Sequence, residues 1–338
     1  MFSARRALDD GSMKQMHETS KLRAPNQEER LLVTFFLFSY NQEKYIEDAC
    51  KAALAQTYSP LEIIFSDDCS SDNTFKLITD IVCNYTGNHK IVLNRNQENL
   101  GLIGHVNKSF EMSSGELIVV AAGDDISLPN RVKSIVDVYE KNKRKSLVIH
   151  SSALKINDSN ELVGLYFPPV IEQKMDIFEI AASQGLYIGA TGAWSRSIYK
   201  DFGPIVFKDS YEDLVLGFRA AMKGSLVYID EPLVMYRFGV GISAIKKHSF
   251  FDIKSKVRRR IKLLITSKSV YEQRMSDLGC IGGDVYALKK VISKKLFFEE
   301  QKINFYKKPF LFFRLIFSFN LIIAIKVIFS EFKFLIRN

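Results

Sequence analysis

Two pairs of adjacent aspartates, each following an apolar run, are the residues of this chain best suited to chemistry. Asp67 and Asp68 follow "LEIIFS", and Asp124 and Asp125 follow "ELIVVAAG". Each pair has an ordinary alternative role, because an acid can cap a turn or a helix. Two pairs gathered at neighbouring strand ends would instead repel each other unless a cation or a donor-rich ligand is bound. The pattern therefore predicts a metal site that also holds a ligand with hydrogen-bond donors.

The sequence lacks the backbone motifs of two common nucleotide-binding classes. No G-x-G-x-x-G turn follows the first strand-like run, and no G-x-x-x-x-G-K-[ST] loop occurs anywhere. Dinucleotide redox chemistry and P-loop phosphoryl transfer are therefore disfavoured. A carboxylate-held Mg²⁺ or Mn²⁺ could still bind a diphosphate, because such an ion takes one or two protein carboxylates and bridges phosphate oxygens.

Strand-like and helix-like runs alternate from residue 31 in units of about 30 residues, which favours a mostly parallel sheet flanked by helices. Ligands of such sheets bind beyond the carboxyl ends of the strands. The segments "SYN" at 39–41, "DDCSSD" at 67–72 and "GDD" at 123–125 each follow a strand-like run. We therefore expect a single crevice lined by these three segments.

The pattern changes after about residue 150, where strands and short loops surround one clear helix, "YEDLVLGFRAAMKG". Gly224 is a plausible end for that helix. A strand pair, "SLVYID" and "LVMYRF", is predicted next, and the chain beyond residue 245 reads as helical. The four cysteines lie far apart and form no C-x-x-C pair, which favours a reduced, cytoplasmic protein without disulfides or a zinc site.

An ordered series of motifs resembles the family 2 glycosyltransferases of GT-A fold. It consists of "FSYNQEKYIEDACKAALAQTYSPLEIIFSDDCSSDNTF", "NRNQENLGLIGHVNKSFEMSSGELIVVAAGDDISLPNR" and "YEDLVLGFRAAMKG", and it covers roughly residues 31–240. An ordered series is far more specific than any single motif. The resemblance implies a Rossmann-like α/β sheet and an inverting transferase of the kind used in bacterial cell-surface polysaccharide or O-antigen synthesis.

The resemblance also implies roles in holding a nucleotide-sugar donor. Asp68 matches the acid that hydrogen-bonds the pyrimidine, and an acceptor facing the ring N–H selects uracil or thymine over cytosine. A UDP-sugar is therefore the expected donor, with dTDP and GDP left open. Tyr40 would pack around the base. Asn99, Gly101 and Asn107 match the "N-x-G…N" segment that lines the nucleotide, although Gly101 could equally be an ordinary turn glycine.

The family's metal motif is often "D-x-D-D", but Ala122 occupies its first position here. By resemblance, Asp125 is the expected ligand of Mn²⁺ or Mg²⁺, and Asp124 is placed near ribose or sugar hydroxyls; the two assignments could be exchanged. Many members carry a His after "YR", whereas this chain reads "YRFGVGIS", so its metal affinity is expected to be weaker.

Asp213, in "YED", matches the catalytic base of the family. Its ordinary alternative is a first-turn acid favoured by the helix dipole. As base it would take the proton of an acceptor hydroxyl while that oxygen attacks the anomeric carbon, so the configuration inverts. Trp194 could stack on a sugar but is more often a core residue. Arg237 could meet a phosphate or simply lie at the surface.

The resemblance and the charge distribution together suggest three regions. They are a disordered or tag-like leader at 1–30, a GT-A domain at 31–245 with a nucleotide-sugar half (31–150) and an acceptor half (151–245), and a basic helical extension at 246–338. The last region has 21 Lys and Arg against 7 Asp and Glu, a net charge of +14. Because the whole chain has +9, residues 1–245 have −5.

The basic extension suggests contact with a membrane. Its segments "KVRRRIKLL" and "YKKPFLFFRLIFSFNLIIAIKVIFSEFKFLIRN" mix bases with Phe, Ile and Leu, and the apolar stretch between Arg314 and Lys326 has 11 residues, too few to span a bilayer. An interfacial helix that meets anionic lipid is expected, on a protein peripheral to the inner face of the cell membrane. A helix packed on the core is the alternative. A saccharide or lipid-linked acceptor would suit the membrane location.

Three other functions were considered. A carbohydrate hydrolase also uses paired carboxylates, but it would usually need export, and residues 1–30 contain no apolar signal run. A nucleic-acid-binding protein could use the basic part, although its bases alternate with apolar residues and the rest of the chain is acidic, so no nucleic acid is expected. A catalytically silent member of the fold is disfavoured because Asp68, Asp125 and Asp213 are all present.

Overall fold

Four parallel strands form the N-terminal half of a nine-stranded sheet, in the order β3-β2-β1-β4. The strands are β1 (Val33–Ser39), β2 (Leu61–Asp67), β3 (Lys90–Arg95) and β4 (Leu117–Ala122). The connecting helices are α1 (Ile46–Leu54), α2 (Thr74–Cys83) and α3 (Gly101–Met112). Strands β1, β2 and β4 are near-continuous apolar runs because helices cover both faces of the sheet, so side chains pointing either way are buried.

The second half of the sheet continues in the order β8-β6-β9-β5, with β7 paired to β6. Its strands are β5 (Ile126–Ser127), β6 (Val148–Ile156), β7 (Leu162–Tyr166), β8 (Ala193–Ser195) and β9 (Leu226–Arg237), and its helices are α4 (Arg131–Lys141), α5 (Pro169–Glu172), α6 (Ile177–Ala182), α7 (Ser197–Phe202) and α8 (Glu212–Met222). Strands β6 and β9 are parallel, whereas the pairings of β8, β7 and β5 are antiparallel. The predicted α/β sheet flanked by helices is confirmed, with mixed strand directions in this half.

The structure is a computed structural model that describes residues 30–240, 253–310, 312 and 321–337. Its described residues from Leu31 onward belong to one compact unit. The predicted leader lies outside these residues except for Arg30, and so does most of the apolar stretch that precedes Lys326.

The predicted pair of strands after α8 is wrong, because "SLVYID" and "LVMYRF" form the single strand β9. Its register against β6 passes from Ser151 opposite Ile229 to Ser152 opposite Pro232, so Asp230 and Glu231 bulge out of the ladder. The acids and Pro232 read as a turn in the sequence, but the strand bends there without reversing. The end of α8 is as expected, with Gly224 in the left-handed region at φ 60°.

In the described part of the chain after the sheet, the long helices are α9 (Ile253–Asp277), α10 (Tyr286–Lys307) and α11 (Leu321–Arg337). Helix α9 is fixed to α8 by a buried ion pair in which Arg219 donates from Nε and Nη2 to both Asp277 oxygens, at 2.8 and 2.9 Å. Arg274 donates to the Leu214 carbonyl oxygen at 2.9 Å. Helix α9 is therefore part of the folded core, and α10 joins it through Ile292, which is buried in the main apolar cluster. In the part of the chain that the structure describes, no helix is long and apolar enough to cross a membrane.

Candidate active site

The carboxyl ends of β2, β1 and β4 meet at one edge of the sheet. The Asp68 N–H donates to the Ser39 carbonyl oxygen at 2.9 Å, and the Gly123 N–H donates to the Phe38 carbonyl oxygen at 2.8 Å. A Cβ at position 123 would lie 2.5 Å from Oε1 of Gln42 and 2.8 Å from a methyl carbon of Ile46, so a larger residue there would require these side chains to move. The crevice predicted from "SYN", "DDCSSD" and "GDD" is thus assembled by backbone contacts between strand ends.

Asp68 is buried and organises the entry to α3. Its Oδ1 accepts from the Asn96 side chain at 2.8 Å and from the Leu100 N–H at 2.9 Å, and its Oδ2 accepts from the Gly101 N–H at 3.0 Å. Gly101 has φ 70°, a conformation that favours glycine. A carboxylate oxygen has room for two donors, so one acceptor direction at Oδ2 is left beside these bonds. The assignment of Asp68 to the pyrimidine stays a prediction.

The other residues assigned to the nucleotide occupy two different environments. Tyr40 is 47% exposed beside the crevice, and Asn99 is exposed and accepts from the Gly101 N–H at 2.8 Å. Asn107 instead uses both ends of its amide on the Ile205 backbone, at 2.8 and 2.9 Å. Tyr40 and Asn99 are therefore accessible, whereas Asn107 ties α3 to the segment before α8.

Asp124 and Asp125 are buried carboxylates with raised pKa values. Burial raises the pKa of Asp124, and burial together with the neighbouring Asp124 charge raises the pKa of Asp125 well above its usual range. Hydrogen bonds from the Arg237 backbone and the nearby Arg131 and Arg237 charges offset this only in part. The pair therefore carries a repulsion that a bound cation would relieve.

Arg237 is buried at the end of β9, with 1% exposure, which excludes the surface position that was one of its two alternatives. Its N–H donates to Oδ1 of Asp125 at 2.8 Å, and its Nε donates to the Asp124 carbonyl oxygen at 2.9 Å. The rest of the guanidinium donates to the Asn157 carbonyl oxygen at 2.8 Å and to Oδ1 of Asn160 at 2.6 Å. The residue is buried because β9 ends beside the aspartate pair, where backbone acceptors surround it.

A second buried arginine, Arg131 at the start of α4, joins β4 to the segment before β8. Its Nη2 donates to the carbonyl oxygens of Val120 and Ala190 at 2.7 Å each and of Gly192 at 3.1 Å. Burial lowers the pKa of Arg131 to about 9, while the Asp125 charge raises it. The sequence gives no signal for this residue, because an arginine at the start of a helix is normally solvent-exposed.

Asp213 lies in the first turn of α8, next to Glu212. Burial raises the pKa of Asp213 to about 6, although a 2.7 Å bond from the Leu214 N–H and the Arg274 charge both lower it. Burial and the Asp213 charge raise the pKa of Glu212 to about 8. A Cβ at Gly189 would lie 1.9 Å from Oε1 of Glu212, so the segment bound by Arg131 also contacts these acids. Residues 189–192 therefore lie between the start of α8, which holds Asp213, and Arg131, whose charge acts on Asp125.

Trp194 is a core residue, 1% exposed, and it stacks on Phe110 with 5.6 Å between ring centroids. Trp194 is therefore a core residue, as expected.

His150 on β6 stacks on Tyr187 with 4.9 Å between ring centroids, and burial lowers the pKa of His150 to about 3. Neither ring nitrogen of His150 has a hydrogen-bond partner among the described residues. No feature of the sequence marked His150.

The donor set of the aspartate pair suits a hard divalent cation. Mg²⁺ and Mn²⁺ favour carboxylate oxygens and complete their coordination with water and substrate phosphates, so two carboxylates are enough. The described ranges contain no group of three or more His, Cys, Asp and Glu residues placed to hold a metal. Asp124 and Asp125 therefore fit an ion that is shared with a diphosphate and do not form an all-protein cage.

Residues 34–203, half of the chain, match the protein family described as "Glycosyl transferase family 2". The chain belongs to this family of glycosyltransferases. Among curated relatives, an uncharacterized glycosyltransferase of Nostoc sp. is 24% identical over 209 residues, which are 61% of this chain and 64% of the relative. The chain thus spans less than two thirds of that relative. The glucosyltransferase WfgD of Escherichia coli is 26% identical over 226 residues, 66% of this chain and 83% of the relative.

Solved structures support the fold. Residues 1–349 of S. aureus TarS in complex with UDP-GlcNAc align with a TM-score of 0.54 at 16% identity, covering 90% of this chain and 92% of that one. The mannosyltransferase PcManGT of Pyrobaculum calidifontis, in complex with GDP-Man and Mn²⁺, aligns with a TM-score of 0.54 at 16% identity, covering 81% and 71%. The predicted GT-A fold is confirmed by these likenesses.

Proposed function

We propose that the protein is an inverting transferase that moves a sugar from a UDP-sugar to a hydroxyl of a saccharide or lipid-linked saccharide in surface polysaccharide synthesis. The observation that carries the proposal is that residues 189–192 contact both the start of α8, which holds Asp213, and Arg131, whose charge acts on Asp125 at the strand end beside Asp68. A donor-side carboxylate pair and an acceptor-side base are the two groups that this reaction requires. The name of the relative WfgD, UDP-Glc:alpha-D-GlcNAc-diphosphoundecaprenol beta-1,3-glucosyltransferase, also supports a lipid-linked acceptor.

On the donor side, Asp68 would accept a hydrogen bond from the pyrimidine N–H through the acceptor direction left at Oδ2. Tyr40 would cover the base, and Asp124 would bind ribose or sugar hydroxyls. Asp125 would hold Mn²⁺ or Mg²⁺, which when bound supplies positive charge for the diphosphate. Arg237 fixes Asp125 with a backbone hydrogen bond of 2.8 Å, so this carboxylate needs little rearrangement on binding.

On the acceptor side, Asp213 would accept the proton of the attacking hydroxyl. The acceptor oxygen forms its bond to the anomeric carbon as the bond from that carbon to the diphosphate oxygen breaks, so the configuration inverts. With a pKa of about 6, Asp213 is ionised at neutral pH. It is also a stronger base than an exposed aspartate, whose pKa is lower. The protonated product form of the base then loses its proton to water.

The experiment is a transfer assay with UDP-glucose and UDP-GlcNAc as donors and a GlcNAc-diphosphate-lipid as acceptor, with the anomeric configuration of the product read by NMR. The inverted linkage is expected from the wild type, and Asp213→Asn should give no product while it still binds UDP. Asp209→Asn, an exposed acid four residues earlier, is the matched control and should remain active. A product with retained configuration, or full activity of Asp213→Asn, would refute the mechanism.

A lipid-linked acceptor would place the enzyme at a membrane, and the outer face of α11 is suited to that surface. Five apolar side chains on this face are between 55% and 71% exposed, namely Ile322, Ile325, Phe329, Phe332 and Ile336. At 100° per residue they form one stripe, and the exposed bases Lys326 and Lys333 lie along one of its borders. The opposite face packs Ala324 and Val327 against Phe312. An apolar stripe bordered by bases matches the interface of an anionic bilayer.

Flotation with vesicles of phosphatidylglycerol and phosphatidylethanolamine tests this surface. The wild type should float with the vesicles, and Ile325→Asp with Phe329→Asp should abolish flotation. Leu165→Asp, an exposed apolar residue on β7, controls for added charge and should float normally. Flotation of the α11 double variant at the wild-type level would rule out this face as the membrane contact.

A further inference from the structure

A cavity of about 190 Å³ lies where the C-terminal helices meet the catalytic half of the fold. It is closed on one side by α9 and α10 and on the other by Gln184, Tyr211 and Leu214. Pockets for drug-sized ligands have roughly 300–1,000 Å³, so this one suits a single sugar ring better than an oligosaccharide. Tyr211 and Leu214 flank the Glu212–Asp213 pair in the chain, which places the cavity beside the start of α8.

Glu299 on α10 lines the cavity and has one carboxylate oxygen without a hydrogen-bond partner among the described residues. The residue is 3% exposed, its Oε1 accepts from Nζ of Lys302 at 2.9 Å, and its Oε2 has no hydrogen-bond partner in the described ranges. A buried carboxylate oxygen without a donor costs free energy, which a ligand with an O–H or N–H group would recover. The unpaired carboxylate oxygen therefore favours a ligand with a hydrogen-bond donor.

The charges around the cavity argue against an anionic occupant. Lys302 is paired with Glu299, and Arg260 is paired with Glu331 through two bonds of 2.6 and 2.7 Å. These four groups sum to zero formal charge, so no net positive field is available for a phosphate. The remaining wall combines apolar Leu214, Leu263, Leu264 and Val270 and the ring of Tyr211 with the polar side chains of Gln184, Thr266 and Ser267. A neutral polyhydroxyl ring, with an apolar face and donating hydroxyls, matches this lining.

We propose that this cavity binds a sugar of the acceptor, with Oε2 of Glu299 accepting a hydrogen bond from one of its hydroxyls. The inference rests on the proposed glycosyl transfer and specifies where part of the acceptor lies. Helices α9 and α10 fall outside the family match at 34–203, so acceptor selection would come from a part of the chain that the family does not define.

The test is saturation-transfer NMR on the full chain with the methyl glycosides of glucose, galactose, mannose and GlcNAc at millimolar concentration, with UDP and Mn²⁺ present. At least one glycoside should bind the wild type, and Glu299→Gln, which turns the acceptor into an amide, should weaken it roughly tenfold or more. Glu300→Gln, the exposed neighbour, is the matched control and should bind normally. Leu263→Trp fills the cavity while leaving the Glu299 carboxylate in the chain, and it should also abolish binding.

Sugar binding that survives both Glu299→Gln and Leu263→Trp would overturn the proposal, and so would the absence of binding to the wild type. The UDP signal in the same samples separates this failure from a failure of the proposed function. If UDP binds while no glycoside does, the acceptor cavity alone is refuted. If UDP does not bind either, the transferase assignment fails with it. Unchanged melting temperatures would show that the two variants fold.

Discussion

The backbone N–H of Arg237 lies 2.8 Å from Oδ1 of Asp125 and donates to it, while the Arg237 side chain spans from the Asp124 carbonyl oxygen to Asn160. The last residue of β9 thus fixes the acids that follow β4, although the two segments are 112 residues apart in sequence. This contact connects the two halves of the sheet at the candidate metal site.

Arg237→Met should destabilise the fold, because it leaves the buried carbonyl oxygens of Asp124 and Asn157 without their donors. We expect the free energy of unfolding to fall by about 3 kcal/mol. Urea unfolding measures the change. Arg144→Met is the control, since Arg144 is a partly exposed residue paired with Glu140, and its loss should cost less than about 1 kcal/mol. Equal losses for the two variants would contradict the role given to Arg237.

The N-terminal part of the site could be predicted from sequence because its signals are local. Strand periodicity located β2 and β4, and the acids directly after them located the crevice. The two arginines that brace it gave no such signal: Arg131 and Arg237 are ordinary polar residues in the sequence and become buried only through contacts with distant carbonyl oxygens. Tertiary hydrogen bonding of this kind has no periodicity to detect.

Transfer should depend on pH through Asp213. Burial raises the pKa of this carboxyl to about 6, and only the ionised form can accept the hydroxyl proton, so kcat/KM should rise with pH and level off above about 6. Measuring kcat/KM between pH 4.5 and pH 8 at saturating metal concentration tests this rise. Asp209→Asn should leave the profile unchanged. A flat profile across that range would exclude Asp213 as the titrating base.

Because of Glu212, the free energy of unfolding should fall as the pH rises. Its pKa is about 8 in the folded protein and near 4.5 in the unfolded chain, so between these values the folded state holds the extra proton. Raising the pH then favours unfolding. Glu212→Gln removes this dependence, so the variant should gain stability relative to the wild type between pH 5 and pH 8 in urea unfolding. Glu140→Gln, at an exposed site, should show no such gain; a gain of equal size there would disprove the assignment.

The ion pair between Arg219 and Asp277 should be a main attachment of α9 to the catalytic half. Both side chains are buried, so Asp277→Ala leaves an uncompensated guanidinium and should cost about 3–5 kcal/mol. Thermal unfolding measures the loss. Glu272→Ala breaks the partly exposed pair with Lys268 on the same helix and should change stability by less than about 1 kcal/mol. A small effect of Asp277→Ala would mean that α9 is held mainly by apolar packing.

The placement of the C-terminal helices could not be predicted from the sequence. Composition predicted a helical, basic extension, and it left two placements open, on the core or on a membrane. The structure shows α9 packed on the core through Arg219, Arg274 and Asp277 and α10 through buried Ile292, whereas α11 keeps an exposed apolar face. Composition could not separate the three helices, because all of them mix bases with apolar residues and differ only in which buried partner they meet.

The central claim is that the aspartate pair binds a metal together with a nucleoside diphosphate, and calorimetric titration with UDP, with and without Mn²⁺, tests it most directly. UDP should bind the wild type in a Mn²⁺-dependent way, and Asp125→Asn, which keeps an acceptor for the Arg237 N–H, should weaken that binding roughly tenfold or more. Asp137→Asn, at an exposed acid on α4, should bind as the wild type does. If UDP fails to bind the wild type, or binds Asp125→Asn equally well with Mn²⁺, the claim is contradicted.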